Sequence, residues 1–215
     1  FAHFNYKRRF TKPVEPGGDD KNKRAEYEQH KKDFEREIPG LIGVRKDGKS
    51  ANQFCFKNKE FIKQVAKDAR DFFDGKLGDN VDEHTRNLQG RSDTFFLVPN
   101  DVGGYCECEK CEPLHKFGFE RGLAFNGGWA SDYVFDLVNA VAREVAKTHP
   151  NKYVGTLAYE GYYWPPTSFE MEKNVQMAPC MHTKNWRNSP HCLDNEDTHY
   201  KEWVRLAKEK KTAPL

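Results

Sequence analysis

The sequence predicts an α/β fold in which strands of a parallel sheet alternate with amphipathic helices. Short apolar runs typical of buried strands are separated by segments whose apolar residues recur every three or four positions. Strands and helices that alternate in this way favour right-handed βαβ units and a parallel sheet. The chain has 215 residues, of which 37% are hydrophobic, so it can form one large domain or two small ones.

Two helices are indicated by their first residues and by their apolar stripes. Asn58 is a good N-cap for a helix over residues 59–73, whose phenylalanines, valine and alanines lie on one face. Ser131 is predicted to cap a second helix, in which valines and leucines repeat at three and four until Pro150 ends it. A closing helix is expected over residues 198–208.

The strands are predicted from short apolar runs that are bounded by polar residues, glycines or prolines. These runs are residues 53–56, 94–98, 153–159 and 175–178.

The first residues are set apart by composition. Residues 1–24 are rich in charges, glycine and proline, which predicts a loop or a poorly ordered lead-in. A short surface helix is expected over residues 25–37. Residues 25–215 are therefore taken as one domain.

Composition also excludes some functions. Lys and Arg total 35 against 33 Asp and Glu, and the lysine-rich stretches lack interleaved aromatic residues, so a nucleic-acid partner is not expected. No apolar run approaches the roughly 18–20 residues that span a bilayer. The chain begins with Phe1 rather than Met, which suggests a processed chain or a segment of a larger polypeptide.

Three cysteines lie within six positions, Cys106, Cys108 and Cys111, soon after the apolar run at 94–98. Three thiolates can hold a metal such as zinc, which would need a fourth ligand. The candidates for that ligand are His115, His182, His191 and Cys192. The alternatives are a local disulfide with one spare thiol, a disulfide to a distant cysteine, and redox chemistry, and the spacing does not choose among them.

The other three cysteines give less information. Cys180 and Cys192 would close a short loop if oxidised, which would suit an extracytoplasmic setting. Cys55 stands alone in the sequence.

Polar residues follow the predicted strands where ligands of α/β folds bind. Asn100 and Asp101 come directly after the strand at 94–98, and a carboxylate there can serve as an acid, a base or a clamp for a substrate hydroxyl. An Asx turn that caps its own backbone is the alternative explanation.

A second polar group follows the strand at 153–159. Glu160 lies among aromatic residues, and aromatic faces around a carboxylate are typical of a sugar-binding cleft. A loop that simply packs its aromatic residues is the alternative. The expected substrate-binding residues are Asn100, Tyr159, Tyr162, Tyr163, Trp164, Trp186 and His182.

These motifs together resemble the domain-of-unknown-function family numbered 4838. The resemblance is carried by Asn100-Asp101, by the Cys-x-Cys-x-x-Cys cluster, by Ser131-Asp132 at a helix start and by Pro165-Pro166. The segment from Asp47 to Asn58 is similar to the part of the family just upstream. The resemblance extends from about residue 25 to the end of the chain.

The resemblance implies a (β/α)8 TIM-barrel-like domain of secreted or periplasmic bacterial proteins. Part of that family is classed as glycoside hydrolase family 163, endo-β-N-acetylglucosaminidases that act on N-glycans. Because the chain is shorter than the roughly 250 residues of a whole barrel, we expect only part of the barrel here.

The expected function is therefore that of a glycoside hydrolase-like domain acting on complex glycans. Glu160 would be the general acid, because aromatic neighbours raise a carboxyl pKa by desolvation, and Asp101 would orient the substrate or polarise an attacking group. No cofactor is required for this catalysis, and zinc would be structural. Whether the chain turns over substrate by itself is left open, and the alternatives are a carbohydrate-binding module and a structural fragment stabilised by metal or disulfide.

Overall fold

The computed structural model describes residues 36–77, 83–100, 104–116, 127–181 and 190–209. Its helices and strands are, in chain order, β1 (Ile42–Val44), β2 (Ser50–Phe54), α1 (Lys59–Phe73), α2 (Glu83–Leu88), β3 (Thr94–Phe96), α3 (Ser131–Ala146), β4 (Tyr153–Ala158), β5 (Val175–Pro179) and α4 (Pro190–Lys208). Within these ranges no helix is long and apolar enough to cross a membrane.

The chain divides into two compact units, and each is described by itself. Unit 1 comprises residues 1–92 and 96–111, and unit 2 comprises residues 93–95 and 112–215. The predicted lead-in at 1–24 lies outside the described residues. So does the predicted helix at 25–37, except for its last two residues, which are helical.

Unit 1 begins with an antiparallel hairpin of β1 and β2. Between the two strands the Arg45 amide donates to the carbonyl of Lys49, and Gly48 has φ of 78°, a conformation that suits glycine. The prediction of a strand at 53–56 in a parallel sheet is therefore wrong in its bounds and in its partner. The turn returns the chain onto β1 before it reaches α1, so β2 pairs with its neighbour in sequence.

Helix α1 has the bounds that the sequence predicted. The Asn58 side-chain oxygen accepts hydrogen bonds from the amides of Glu60 and Phe61, at 3.0 and 3.1 Å, so two of the first free amides are satisfied. The helix then buries one apolar face, which consists of Phe61, Val65, Ala66, Ala69, Phe72 and Phe73. Gly75, with φ of 71°, follows its C-terminus.

Unit 2 is built on a sheet with the strand order β3-β4-β5, to which β3 contributes Thr94 and Phe95 within this unit. Strands β4 and β5 are parallel, with Val154 opposite Val175 and Ala158 opposite Pro179, as the alternation predicted. Helix α3 packs against β4 and β5. Its buried face holds Tyr133, Val134, Phe135, Leu137, Val138, Val141, Ala142 and Val145.

The start of α3 and the length of α4 differ from expectation. Ala130 occupies the N-cap position of α3, and Ser131 is its first residue, with a buried hydroxyl that makes no side-chain cap hydrogen bond. Helix α4 begins at Pro190, earlier than the predicted residue 198. Helix α2 was not predicted, because its six residues are too few to show a periodicity.

Two polar side chains of α3 hold the connection between β4 and β5. The buried Asn139 donates to the carbonyl of Glu170 and accepts from the amide of Glu172. The buried carboxylate of Asp132 accepts from the Thr167 amide at 2.6 Å. The connection contains a 3₁₀ turn, Glu160–Tyr162, and no α-helix, and these hydrogen bonds fix it to α3.

The described part of the chain is a mixed α/β structure with a small parallel sheet and no closed barrel. The expected (β/α)8 architecture remains an implication of the resemblance.

The double hydrogen bond of Asn58 gives a test of the fold. Asn58→Ala removes the acceptor for both amides and is expected to lower the free energy of unfolding by about 1 kcal/mol. Asn58→Asp keeps the acceptor and loses the bond that the amide group donates to Pro39, so it should cost less. Urea unfolding followed by circular dichroism measures both, and equal losses in the two variants would contradict the capping role.

Candidate functional site

The most concentrated chemistry in the described residues is a group of four cysteines in unit 1, Cys55, Cys106, Cys108 and Cys111. Their sulfur atoms all lie within 4.8 Å of one another. The Cys55 sulfur is 3.8 Å from that of Cys108 and 3.6 Å from that of Cys111. Cys55 therefore joins the three cysteines that the sequence had grouped.

The hairpin and the segment after β3 bring these thiols together through backbone hydrogen bonds. The Glu107 amide donates to the carbonyl of Val44 at 2.7 Å, and the Val44 amide donates to the Cys106 sulfur at 3.4 Å. The Cys111 amide donates to the carbonyl of Cys108 in a tight turn. A Cβ on Gly43 would lie 2.9 Å from that of Cys106, so glycine is needed for this approach.

The thiols differ strongly in their readiness to ionise. Hydrogen bonds from the sulfhydryl groups of Cys111 and Cys55, in that order of effect, lower the pKa of Cys106. The hydrogen bond with Cys106 raises the pKa of Cys55, and the same partner raises the pKa of Cys111. A metal that bound here would displace the protons of the remaining thiols.

The group fits a tetrahedral tetrathiolate site. Four sulfurs at about 2.3 Å from a central zinc would be about 3.8 Å apart, close to the two separations at Cys55. No disulfide joins these four cysteines in the structure. Zinc at this position would supply no redox chemistry and would hold the two chain segments together.

Cys55 is the fourth cysteine of the group, and it was not among the candidates that the sequence offered for the fourth metal ligand. His115 belongs to unit 2, where its ring lies 4.8 Å from that of Tyr133, and it is not part of the group. His182 and the side chains of His191 and Cys192 lie outside the described residues. Cys180 is a thiol in the structure. In the sequence Cys55 falls inside the strand predicted at 53–56, and nothing at that position indicates a ligand.

The predicted site residues of unit 1 follow β3. The buried Gln53 side chain donates to the Asn100 carbonyl at 2.7 Å and accepts from its amide at 3.2 Å. Asn52 donates its amide to the Gly104 carbonyl at 2.9 Å. Asp101 lies between these two attachment points and outside the described residues, so its catalytic role stays a prediction.

In unit 2, Glu160 lies where the sequence placed it, two residues beyond the end of β4. It opens a 3₁₀ turn, Glu160–Tyr162, and is half-buried. Its φ of 46° makes it the one non-glycine residue with positive φ among the described residues. A left-handed conformation costs a non-glycine residue about 1–2 kcal/mol, and such strain concentrates at functional sites.

The aromatic residues after Glu160 mostly face inward. Tyr162, Tyr163 and Trp164 are each 3% exposed or less. Tyr163 stacks on His199, and its carbonyl accepts from the Trp203 indole at 3.0 Å. Tyr159 is half-buried, with its ring 6.4 Å from that of Tyr162. A sugar-facing role for these rings stays a prediction.

An aromatic residue beside Glu160 was not among the site residues expected from the sequence. The half-buried Trp129 lies on Gly161, where a Cβ would come within 2.8 Å of the indole nitrogen. The Ala130 amide donates to the Gly161 carbonyl, and the Tyr163 amide to that of Gly127. The sequence feature that could have indicated this close contact is the pair of glycines directly before Trp129. Trp186 and His182 lie outside the described residues.

The fold and the site define an α/β chain with a small parallel sheet and a four-cysteine group that could bind a metal. The family model described as "Domain of unknown function (DUF4838)" matches residues 29–210, and the chain belongs to this family. No curated protein and no solved structure matches the chain.

The strain at Glu160 predicts an unusual response to mutation. Glu160→Gly should raise the free energy of unfolding by roughly 0.5–1 kcal/mol, because glycine adopts positive φ without a Cβ clash. Glu170→Gly is the matched control, since Glu170 has no positive φ, and it should lower stability. Thermal unfolding of both variants measures the difference, and a destabilised Glu160→Gly protein would show that the turn is not strained.

Proposed function

We propose that Cys55, Cys106, Cys108 and Cys111 bind one structural zinc ion in this domain. The observation that carries the proposal is the mutual approach of the four sulfurs to within 4.8 Å. Closed tetrathiolate sites are typical of structural zinc. The Val44 amide that donates to the Cys106 sulfur is the kind of outer contact that orients a metal ligand.

Zinc would connect segments that are far apart in sequence. Cys55 follows the hairpin, and the other three ligands follow β3. A two-stranded hairpin is marginally stable by itself, and metal binding adds its free energy to folding. The backbone of Asn100 and Gly104, which is hydrogen-bonded to β2, would be held by the same connection.

Metal content tests this proposal. The full chain reconstituted with zinc should hold one equivalent, measured by inductively coupled plasma mass spectrometry, and chelator should lower its melting temperature. Cys55→Ser should lose most of the zinc, because three thiolates and a hydroxyl bind it far more weakly. Cys180→Ser replaces a half-buried thiol outside the group and should keep the zinc.

Two outcomes would contradict the zinc site. One is an unchanged zinc content in Cys55→Ser, which would show that the metal lies elsewhere. The other is a wild-type chain that takes up no zinc under reducing conditions although it is folded by circular dichroism.

A second candidate function is glycan hydrolysis, and the position of Glu160 favours it. A strained carboxylate beyond the end of a parallel strand is placed as catalytic acids are in α/β enzymes. The resemblance to glycoside hydrolase family 163 supplies the proposed substrate, a complex glycan. In this proposal Glu160 is the general acid, Asp101 orients the substrate, and the domain works in a secreted or periplasmic bacterial protein as part of a longer polypeptide.

Glycan release tests the role of Glu160. With an N-glycosylated protein as substrate, Glu160→Gln should lower the rate of oligosaccharide release by about 10²–10⁴-fold, since the general acid is lost. Glu172→Gln changes an acid of the same connection that is paired with Arg143, and it should keep the wild-type rate. Full activity in Glu160→Gln would contradict the role, and glycan binding without release would favour the carbohydrate-binding alternative.

A further inference from the structure

A cavity of about 370 Å³ lies beside the four-cysteine group in unit 1. Within the described part of the chain its walls come from the hairpin and from the segment after β3. They include Ile42, Val44, Cys55, Lys57, Cys106 and Cys108. Val44 is 41% exposed, so this side of the hairpin is open to solvent. A small molecule could therefore reach the sulfurs from this side.

The four cysteines are not equally accessible from the cavity. Cys108 is half-buried, whereas Cys55, Cys106 and Cys111 are 8%, 1% and 0% exposed. Cys111 does not line the cavity. Since oxidation of thiolates follows their exposure, a solvent-borne oxidant meets Cys108 first.

We infer that Cys108 is a site of modification by hydroperoxides, and that Cys55 then forms a disulfide with it and the metal is released. This inference rests on the proposed zinc site and adds its regulation. Cys55 lines the cavity with its sulfur 3.8 Å from that of Cys108. Such a distance is closed by a small side-chain rotation. Cys106 also lines the cavity, but its sulfur accepts a hydrogen bond from the Val44 amide, so Cys55 is the expected partner.

The chemistry balances with hydrogen peroxide as the oxidant. The Cys108 thiolate attacks one peroxide oxygen, a sulfur–oxygen bond forms, the oxygen–oxygen bond breaks, and hydroxide leaves. The sulfenic acid of Cys108 is then attacked by Cys55, which as a zinc ligand would be a thiolate, and this attack forms the disulfide and expels a second hydroxide. Two thiolates are oxidised by two electrons in total and the peroxide is reduced. The two ligands that remain hold zinc too weakly to keep it.

Peptide mapping after peroxide treatment of the zinc-loaded full chain tests the assignment. Cleavage after Lys110 separates Cys111 from Cys108, and cleavage after Glu107 separates Cys106 from Cys108. The expected product is one linked pair of peptides that contain Cys55 and Cys108. It should form in step with zinc release, which a chromogenic chelator follows. A dominant link to Cys106 or Cys111 would overturn the assignment.

A variant with a larger side chain at the cavity mouth tests whether peroxide reaches the sulfurs through the cavity. Val44→Phe keeps the backbone amide that donates to Cys106 and places a larger ring at the cavity, so peroxide should release zinc several-fold more slowly. Met181→Phe, at a residue of unit 2 that is 43% exposed, is the matched control and should release zinc at the wild-type rate. Equal rates in two zinc-loaded variants would overturn the route through the cavity.

Zinc content before oxidation keeps this inference separate from the proposed function. A folded wild-type chain that binds no zinc contradicts the metal site itself. A loaded chain that releases zinc without the Cys55–Cys108 link contradicts the modification site alone.

Discussion

Unit 1 depends on the convergence of four thiols from two segments that are about fifty residues apart in sequence. Sulfur atoms within 4.8 Å of one another need a reason to stay together, because thiolates repel and buried thiols gain little from each other. Hydrogen bonds from the Cys111 and Cys55 thiols lower the pKa of Cys106, so a thiolate there would hold its neighbours close. A divalent metal bound there would displace the thiol protons and offset half of the negative charge of four thiolates, so the arrangement would be preorganised for it.

The hydrogen bonds around the four cysteines are consistent with the dependence of unit 1 on their convergence. The hairpin has short strands, and its β1 is three residues long, so its own pairing contributes little stability. Its attachments to the segment after β3 include two hydrogen bonds of the Val44 backbone, which accepts from the Glu107 amide and donates to the Cys106 sulfur. The Asn52 amide also bonds to the Gly104 carbonyl, and the Gln53 side chain to that of Asn100. All of them lie within a few residues of a cysteine. Losing the connection at the sulfurs would therefore loosen both flanks of the segment that contains Asp101.

The sequence predicted what is encoded locally and missed what requires distant contacts. Helix α1 was predicted to the residue because a cap, an apolar stripe and a terminating glycine all lie within eighteen positions. The cluster at 106–111 was visible from its spacing, but Cys55 was not, because only the folded hairpin brings it there. Tyr162, Tyr163 and Trp164 were expected at a sugar-binding surface, yet in the structure their large apolar areas are buried. Sequence alone shows which residues have aromatic faces, but not which way they point.

Two loops that follow strands are held by different means, and the difference follows from what each loop contacts. Beyond β4, the connection to β5 lies on α3, so a buried carboxylate and a buried amide, Asp132 and Asn139, can satisfy its backbone. This support lets Glu160 keep a left-handed conformation that would otherwise relax. The loop after β3 in unit 1 is hydrogen-bonded to the hairpin, and three of the four cysteines follow these contacts along the loop. Precise placement of a functional side chain needs a supported loop, and a metal ion bound by the four cysteines would supply that support in unit 1.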